Sequence, residues 1–306
     1  MPKKVKQQES IVNELADKSE LYKLYETDQA ITWCAGCGNY AIQNALKRAL
    51  TLENFSIKDV LFVFDIGCNG NGSDKIGGYT FHGLHGRAIP AAAGAALANP
   101  KLKIVASGGD GATMSEGINH LVHAVRSDYP MLFIHHNNSN YGLTTGQASA
   151  CTRKGFPMNG SPDGNLLDPM NPTEFVLNLN PTFAARSFCG NINHMTKIFR
   201  EALKHKGFAY VEILQTCPTY NKATPQKWYL EKVKYIEDLK GYKSDNLEKA
   251  KKTAHDMENE IYLGVLYKNE NQQNYYEKLT YRKNLKTTPV EEVNNYGIKA
   301  LLKEFE

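Results

Sequence analysis

The sequence predicts an α/β protein built on a doubly wound, mostly parallel sheet, and three observations predict it. Short apolar runs rich in Val, Ile and Phe alternate with helix-length amphipathic segments. The runs are apolar at successive positions, as strands covered on both faces are. The residues with chemistry to offer follow the ends of those runs, outside the carboxyl edge where such sheets bind ligands. A chain of 306 residues, 42% of them apolar, has ample material for the core this requires.

The elements follow in order. Residues 1–30 form a polar leader with some helical character, and the basic run "PKKVK" at 2–6 reads as a solvated tail. "NYAIQNALKRAL" (39–50) has helical apolar spacing, and "DVLFVFDIG" (59–67) is a buried strand ending in glycine. "IPAAAGAALAN" (89–99) is an Ala-rich helix able to pack closely on a sheet, and "KLKIVASGGDG" (101–111) is a second strand running into a glycine turn. "MSEGINHLVHAVRS" (114–127) is a helix and "PMLFIHHN" (130–137) a third strand, followed by a loop excursion over 148–172. "TFAARSF" (182–188), "NHMTKIFREALKH" (193–205) and "FAYVEILQT" (208–216) give strand, helix and strand. From 222 the composition turns polar and rich in Lys and Tyr, so 31–221 reads as the main domain and 222–306 as a mostly helical C-terminal extension.

Charge and hydropathy exclude some classes. The net charge of +4 is spread along the chain without a basic–aromatic stripe, so no nucleic-acid partner is expected. No window of 18 apolar residues and no apolar signal segment is found, so the expected location is the cytoplasm, off the membrane. Six cysteines in a reducing compartment point to metal or redox chemistry rather than disulfides.

After the second strand comes Asp110, and after the third come Asn137 and Asn138. Thr113 and Glu116 make a T-x-x-E capping box, which predicts a helix start near Thr113 whose free N–H groups suit an anion. The next strand returns the chain, so the Asp110 carboxylate and the Asn138 amide face one spot. Hard oxygens there suit Mg²⁺ carrying phosphate oxygens. A lone G-D-G is most simply a turn; G-D-G with Asn-Asn across one helix and one strand is more specific. The pattern resembles the thiamine diphosphate signature. The resemblance implies that Asp110, Asn138 and the Asn140 backbone carbonyl hold the Mg²⁺, and that Gly111, Gly142 and Leu143 touch the cofactor.

Cys34 and Cys37 lie in "WCAGCGNY", Cys68 in "DIGCNG" and Cys217 in "QTCPTYN". Four thiolates serve an iron–sulfur cluster or a structural zinc, and spacing alone does not choose. The surrounding words, "TFHGLHGRAIP", "LANPKLKIVASGGDG", "NYGLTTGQ", "PTFAARSF" and "HKGFAYVEILQTCPTYN", run in one order. Over roughly 32–276 they resemble the β subunit of the 2-oxoacid:ferredoxin oxidoreductases, which act on pyruvate or 2-oxoglutarate. That resemblance implies a thiamine diphosphate-binding fold and a single 4Fe–4S cluster on Cys34, Cys37, Cys68 and Cys217. It implies coenzyme A-dependent oxidative decarboxylation of a 2-oxoacid, with electrons passed to ferredoxin or flavodoxin. It also implies an α subunit that brings the activating glutamate, for which the matched motifs hold no candidate. The apolar surface beside strands 59–67 and 102–107 is then expected to be partly an interface.

Further site residues follow from the resemblance. Ile66, Gly67, Asn69 and Gly109 join Cys68 at the cofactor, and His85, Gly86 and Arg87 form a loop against cofactor or substrate. His85 and Asn71 fall in the substrate region. Asn71 stands where the family often has Arg or Lys, with Lys75 a cation at a different reach; Ala112 replaces an acidic residue, and so does Asn137. Cys151 and Cys189 match no ligand: Cys189 reads as a small buried hydrophobe and Cys151 as an incidental loop residue. His120 and His123 read as structural. The rival reading is a non-redox thiamine diphosphate-dependent decarboxylase subunit whose cysteines hold zinc.

Overall fold

The computed structural model describes residues 13–293, 299, 302 and 303; the basic run at 2–6 lies outside them. The helices are α1 (Ser19–Lys23), α2 (Asn39–Leu52), α3 (Ala88–Ala98), α4 (Ile118–Ser127), α5 (Pro172–Asn178), α6 (Ile192–Lys204), α7 (Gln226–Lys232), α8 (Leu247–His255) and α9 (Pro289–Val293). The strands are β1 (Val60–Phe64), β2 (Tyr79–His82), β3 (Lys103–Gly109), β4 (Met131–Asn137), β5 (Phe183–Phe188), β6 (Phe208–Leu214), β7 (Val233–Tyr235) and β8 (Ile261–Lys268). They form one eight-stranded sheet in the order β2-β1-β3-β4-β6-β5-β8-β7. Every pairing is parallel except β5 with β8.

Successive strand residues serve opposite faces. On β1, Phe62 and Phe64 join a core with Ile42, Leu46 and Leu50 of α2 and Ile198 and Phe199 of α6. Val63 faces the other way, into a core with Ala88, Ala92 and Ala96 of α3 and Leu121 and Val125 of α4. The alanines of α3 let it lie close on the sheet, since methyl groups keep the helix from being held off. Strand order reverses between β1, whose chain leaves toward β2, and β3, whose chain leaves toward β4. That is the switch point at which a crevice opens. The register aligns the strand ends there: Phe64 pairs with Ser107, Gly109 with His136 and Asn137 with Leu214.

Two expectations change. The region after 222 does carry helices, but it also supplies β7 and β8, which extend the main sheet. The helix after Asp110 does not begin at a Thr113–Glu116 capping box. A wide π-type turn at Ala112–Glu116 ends at Gly117, and α4 starts afresh at Ile118 with no side-chain cap. Such turns inside helices often mark functional sites, and this one frees Glu116 for contacts far along the chain.

Candidate active site

The turn after β1 is held by Asp65, a residue the sequence reading passed over. Its carboxylate accepts the backbone N–H groups of Ile66 and Gly86, both at 2.8 Å, and of Ala88 at 3.2 Å. It thereby caps α3 from a distance and fixes the "HGRA" loop against the end of β1. Burial raises its pKa, with these N–H groups opposing the rise. Gly86 sits at φ +71°, and a Cβ there would meet the Glu116 Cβ at 2.8 Å. Only glycine fits both demands.

Asp110 is sealed from solvent. Its carboxylate accepts the Asn138 N–H at 3.3 Å and the Ser149 hydroxyl. Burial pushes its pKa up to about 7, against those hydrogen bonds. A divalent cation beside it would offset that desolvation. Asn138 Oδ1 accepts the Asn140 N–H at 3.2 Å, and the Asn138 carbonyl accepts from Asn221 at 2.9 Å. The Asn140 side-chain amide is buried, and neither its oxygen nor its nitrogen has a partner in the structure. Asn137 points elsewhere: it donates to the buried Glu212 at 2.7 Å, and Glu212 is paired with Arg186 at 2.9 Å.

Beside these groups lies a cavity of about 340 Å³. The β1 turn lines it with Ile66, Gly67, Cys68 and Asn69, and the β3 turn with Gly109, Asp110 and Gly111. The β4 turn adds Asn138, Asn140, Gly142 and Leu143, and His85 closes one side. Gly111 keeps the floor open, since a Cβ there would strike the Tyr141 ring at 2.3 Å. Sequence reasoning missed Tyr141, His136 and Gln215, which also line the cavity. His136 is pushed down to about 4 by burial. Glu116 ties the mouth together: it accepts from the Tyr141 hydroxyl at 3.0 Å and faces His85 Nδ1 at 3.3 Å.

Gly86 and Arg87 stand behind the wall. Arg87 is exposed, with its guanidinium on the carbonyls of Gly86 and Glu116. Asn71 does not line the cavity, and Lys75 is buried with its ammonium on Asp74 at 2.7 Å. His120 is half-buried on α4 and His123 is exposed. Cys151 lies in the loop excursion as expected, but its side chain is buried against the core that α3 and α4 form with the sheet. Cys189 is buried as expected, its sulfur accepting the Thr216 N–H at 3.4 Å.

Of the four remaining thiols Cys68 lines the cavity, and Cys34, Cys37 and Cys217 lie close enough to act on it electrostatically. The Cys37 N–H donates to the Cys34 carbonyl at 3.0 Å, and the Gly38 N–H bonds the Thr216 carbonyl at 3.3 Å, which brings this turn to the Cys217 segment. The Trp33 indole donates to the Cys68 carbonyl at 2.6 Å, which ties in the β1 turn. Burial pushes Cys37 up to about 11, with Cys217 and Cys34 adding to the rise, and Cys68 up to about 12, with Cys37, Cys217 and Cys34 adding to it. Among the described residues no three His, Cys, Asp or Glu side chains are arranged to hold a metal ion. As donors the four sulfurs still suit an iron–sulfur group, with no carboxylate among them. Cys68 belongs to both places, and a Cβ on Gly142 would touch its sulfur and Asn140 Oδ1, each at 3.1 Å.

Fold and cavity together define a thiamine enzyme domain. Residues 65–213 match the thiamine pyrophosphate enzyme C-terminal binding domain, and residues 217–284 match the C-terminal region of the pyruvate ferredoxin oxidoreductase beta subunit. The 2-oxoacid:ferredoxin oxidoreductase beta subunit of a Sulfolobus species is 35% identical over 83% of this chain and 87% of its own. A beta subunit from Aeropyrum pernix is 34% identical over 83% of this chain and 85% of its own. The chain thus belongs to the 2-oxoacid:ferredoxin oxidoreductase beta-subunit family. It also superimposes on a 2-oxoglutarate:ferredoxin oxidoreductase from Magnetococcus marinus, solved with 2-oxoglutarate, coenzyme A and succinyl-CoA bound. There the TM-score is 0.83 and the identity 29%, covering 93% of this chain and 96% of that one. The activity is of the oxidoreductase class, which sets aside the non-redox decarboxylase. Among the described residues no helix is long and apolar enough to cross a membrane.

Proposed function

We propose that this chain, with an α subunit, oxidatively decarboxylates a 2-oxoacid, pyruvate or 2-oxoglutarate, to its coenzyme A thioester. The electrons leave through a 4Fe–4S cluster to ferredoxin or flavodoxin, in the cytoplasm. The observation that carries the reading is the shared wall: Asp110, Asn138, Asn140 and Cys68 line one cavity, Asn140 and Cys68 flank Gly142, and the three further thiols lie within electrostatic reach of Cys68.

Bound here, thiamine diphosphate would supply the carbanion chemistry that releases CO₂ from a 2-oxoacid. The chain's own residues have narrower tasks. Asp110 Oδ, Asn138 Oδ1 and the Asn140 carbonyl would hold Mg²⁺ against the diphosphate, and the turn at Gly111 would present its N–H groups to the same anion. Ile66, Gly67, Asn69, Gly109, Gly142 and Leu143 would shape the cofactor bed. His85, braced by Glu116 and Tyr141, would face the substrate end, with Gly86 and Arg87 supporting that loop and Asn71 near it. Cys34, Cys37, Cys68 and Cys217 would hold the cluster, whose nearness to the cavity suits one-electron withdrawal.

The test is the co-expressed α–β complex, purified without oxygen. A panel of 2-oxoacids with coenzyme A and a viologen acceptor should give reduction with one of them. Iron and acid-labile sulfide should each approach about four per chain. Replacing Cys34, Cys37, Cys68 or Cys217 singly by Ser should remove them, whereas Cys151→Ser and Cys189→Ser should not. Zinc without sulfide would overturn the redox reading.

A further inference from the structure

Gln215 lies between the cavity and the thiols and touches both. It lines the cavity, is 1% exposed, and follows the last residue of β6. Its backbone N–H is fixed on the Asn137 carbonyl at 2.8 Å. Its amide nitrogen points at Cys37 Sγ, 3.7 Å away. Its amide oxygen accepts from His136 Nδ1 at 3.1 Å. That ring nitrogen also faces Asn39 Oδ1 at 3.0 Å, so with two oxygens before it, it is the donor. The His136 ring therefore fixes which end of the Gln215 amide faces the sulfur. Gly38, next to Cys37, leaves the room for it: a Cβ there would meet Gln215 Cγ at 2.6 Å.

We propose that Gln215, oriented by His136, is a positioning residue that raises the reduction potential of the group held by Cys37, through its N–H···S hydrogen bond. The inference rests on the cluster reading above. The step concerned is the uptake of one electron, drawn from the 2-oxoacid carbon undergoing oxidation and later released to the one-electron carrier protein. The added electron makes the cluster one unit more negative and loads charge on its sulfurs. An N–H donor aimed at a ligand sulfur stabilises that reduced form more than the oxidised one, so the potential rises. The same amide borders the cavity from which the electron comes.

The experiment is an EPR-monitored redox titration of the anaerobic α–β complex, with iron and sulfide measured on each sample. Gln215→Met keeps the length and removes the donor. Its midpoint should fall by an amount equivalent to a several-fold to tenfold change in the reduced-to-oxidised ratio, where tenfold is ~59 mV for one electron. Gln215→Glu, which sets a carboxylate by the sulfur, should fall further. His136→Leu should fall in the same direction with Gln215 intact. A Gln215→Met midpoint equal to wild type at full iron content overturns the proposal. So does loss of iron with no change in the midpoint of the cluster that remains, which is what a merely structural Gln215 would give. Wild-type protein carrying ¹⁵N in its glutamine amides provides a check that needs no variant. Its reduced cluster should show a nitrogen coupling in pulsed EPR, and none would overturn the proposal. Wild type without iron and sulfide would instead sink the underlying cluster reading.

Discussion

Asp110 shows how one side chain carries two demands. Its burial is unfavourable to the charge that a cation site needs, and its hydrogen bonds from Asn138 and Ser149 keep it aimed regardless. Asp110→Ala or Asn138→Ala should abolish Mg²⁺-dependent thiamine diphosphate binding by calorimetry while iron content stays unchanged. Binding at wild-type strength would remove the magnesium assignment. His135 gives a second test at this scale. It is fully buried on β4, 2.7 Å from the Tyr210 hydroxyl, with His136 and the Arg186–Glu212 pair nearby. Burial pushes it down to about 4, with Glu212 opposing. A histidine whose folded pKa is lowered contributes stability that is complete above its unfolded pKa of about 6.5 and lost as pH falls toward the folded value. Asp110 and Asp65, whose pKa values are raised, act in the opposite sense over that window. The difference between wild type and His135→Phe isolates the histidine. In urea denaturation, wild type should lose ~1.4 kcal/mol more per pH unit than the variant between about pH 6 and pH 4.5.

The turns after β1, β3 and β4 form the site, and their glycines make the approach possible. Gly111→Ala would push a methyl group into the Tyr141 ring. The expected result is a loss of ~1–3 kcal/mol in stability and a fall in cofactor affinity of about tenfold or more, read by thermal shift with and without thiamine diphosphate. An unchanged affinity would mean the floor of the cavity lies elsewhere. At this scale the sequence was legible where burial wrote a pattern. The runs that became β1, β3, β4, β5 and β6 are apolar because both faces are covered, and their bounds shift by only a few residues. β2 was not legible, because all four of its residues are exposed and give no burial pattern. β8 is an apolar run between polar stretches, holds Gly264 at φ +140°, and pairs antiparallel with β5 in a shifted register. Glu116 was read as a local cap, but its partners His85 and Tyr141 are distant in sequence. Asp65, Tyr141 and Gln215 were missed for the same reason. Each has a role only through contacts that folding creates, whereas G-D-G, Asn-Asn and the cysteine words carry their meaning locally.

For the whole molecule, the open edge of the sheet matters most. Tyr79 and Phe81 of β2 are about half exposed at 54% and 51%. They line a broad groove with Leu61, Val63, Ala91 and Ala95. An unpaired edge flanked by apolar side chains is a surface that proteins ordinarily cover, in keeping with a chain that works as one subunit of a larger enzyme. The cavity residues include no carboxylate other than Asp110, so the isolated chain should turn over 2-oxoacids negligibly. A missing acid–base group alone costs ~10²–10⁴-fold. Adding the α subunit should restore coenzyme A-dependent viologen reduction; equal rates from the chain alone would place the activating group within this sequence.

Of the four gathered thiols, Cys34 is exposed while Cys37, Cys68 and Cys217 are half-buried. The set therefore has a front door. Cys37 and Cys68 remain protonated at ordinary pH because burial raises them, and a protonated thiol is a poor nucleophile. In chain stripped of iron, iodoacetamide at pH 8 should alkylate Cys34 ahead of these two, as peptide mass mapping over time would show. Reassembling the iron–sulfur group first should silence that reaction. The same opening marks the corner at which dioxygen would first attack the loaded protein, so survival in air should track how well a partner surface shields Cys34.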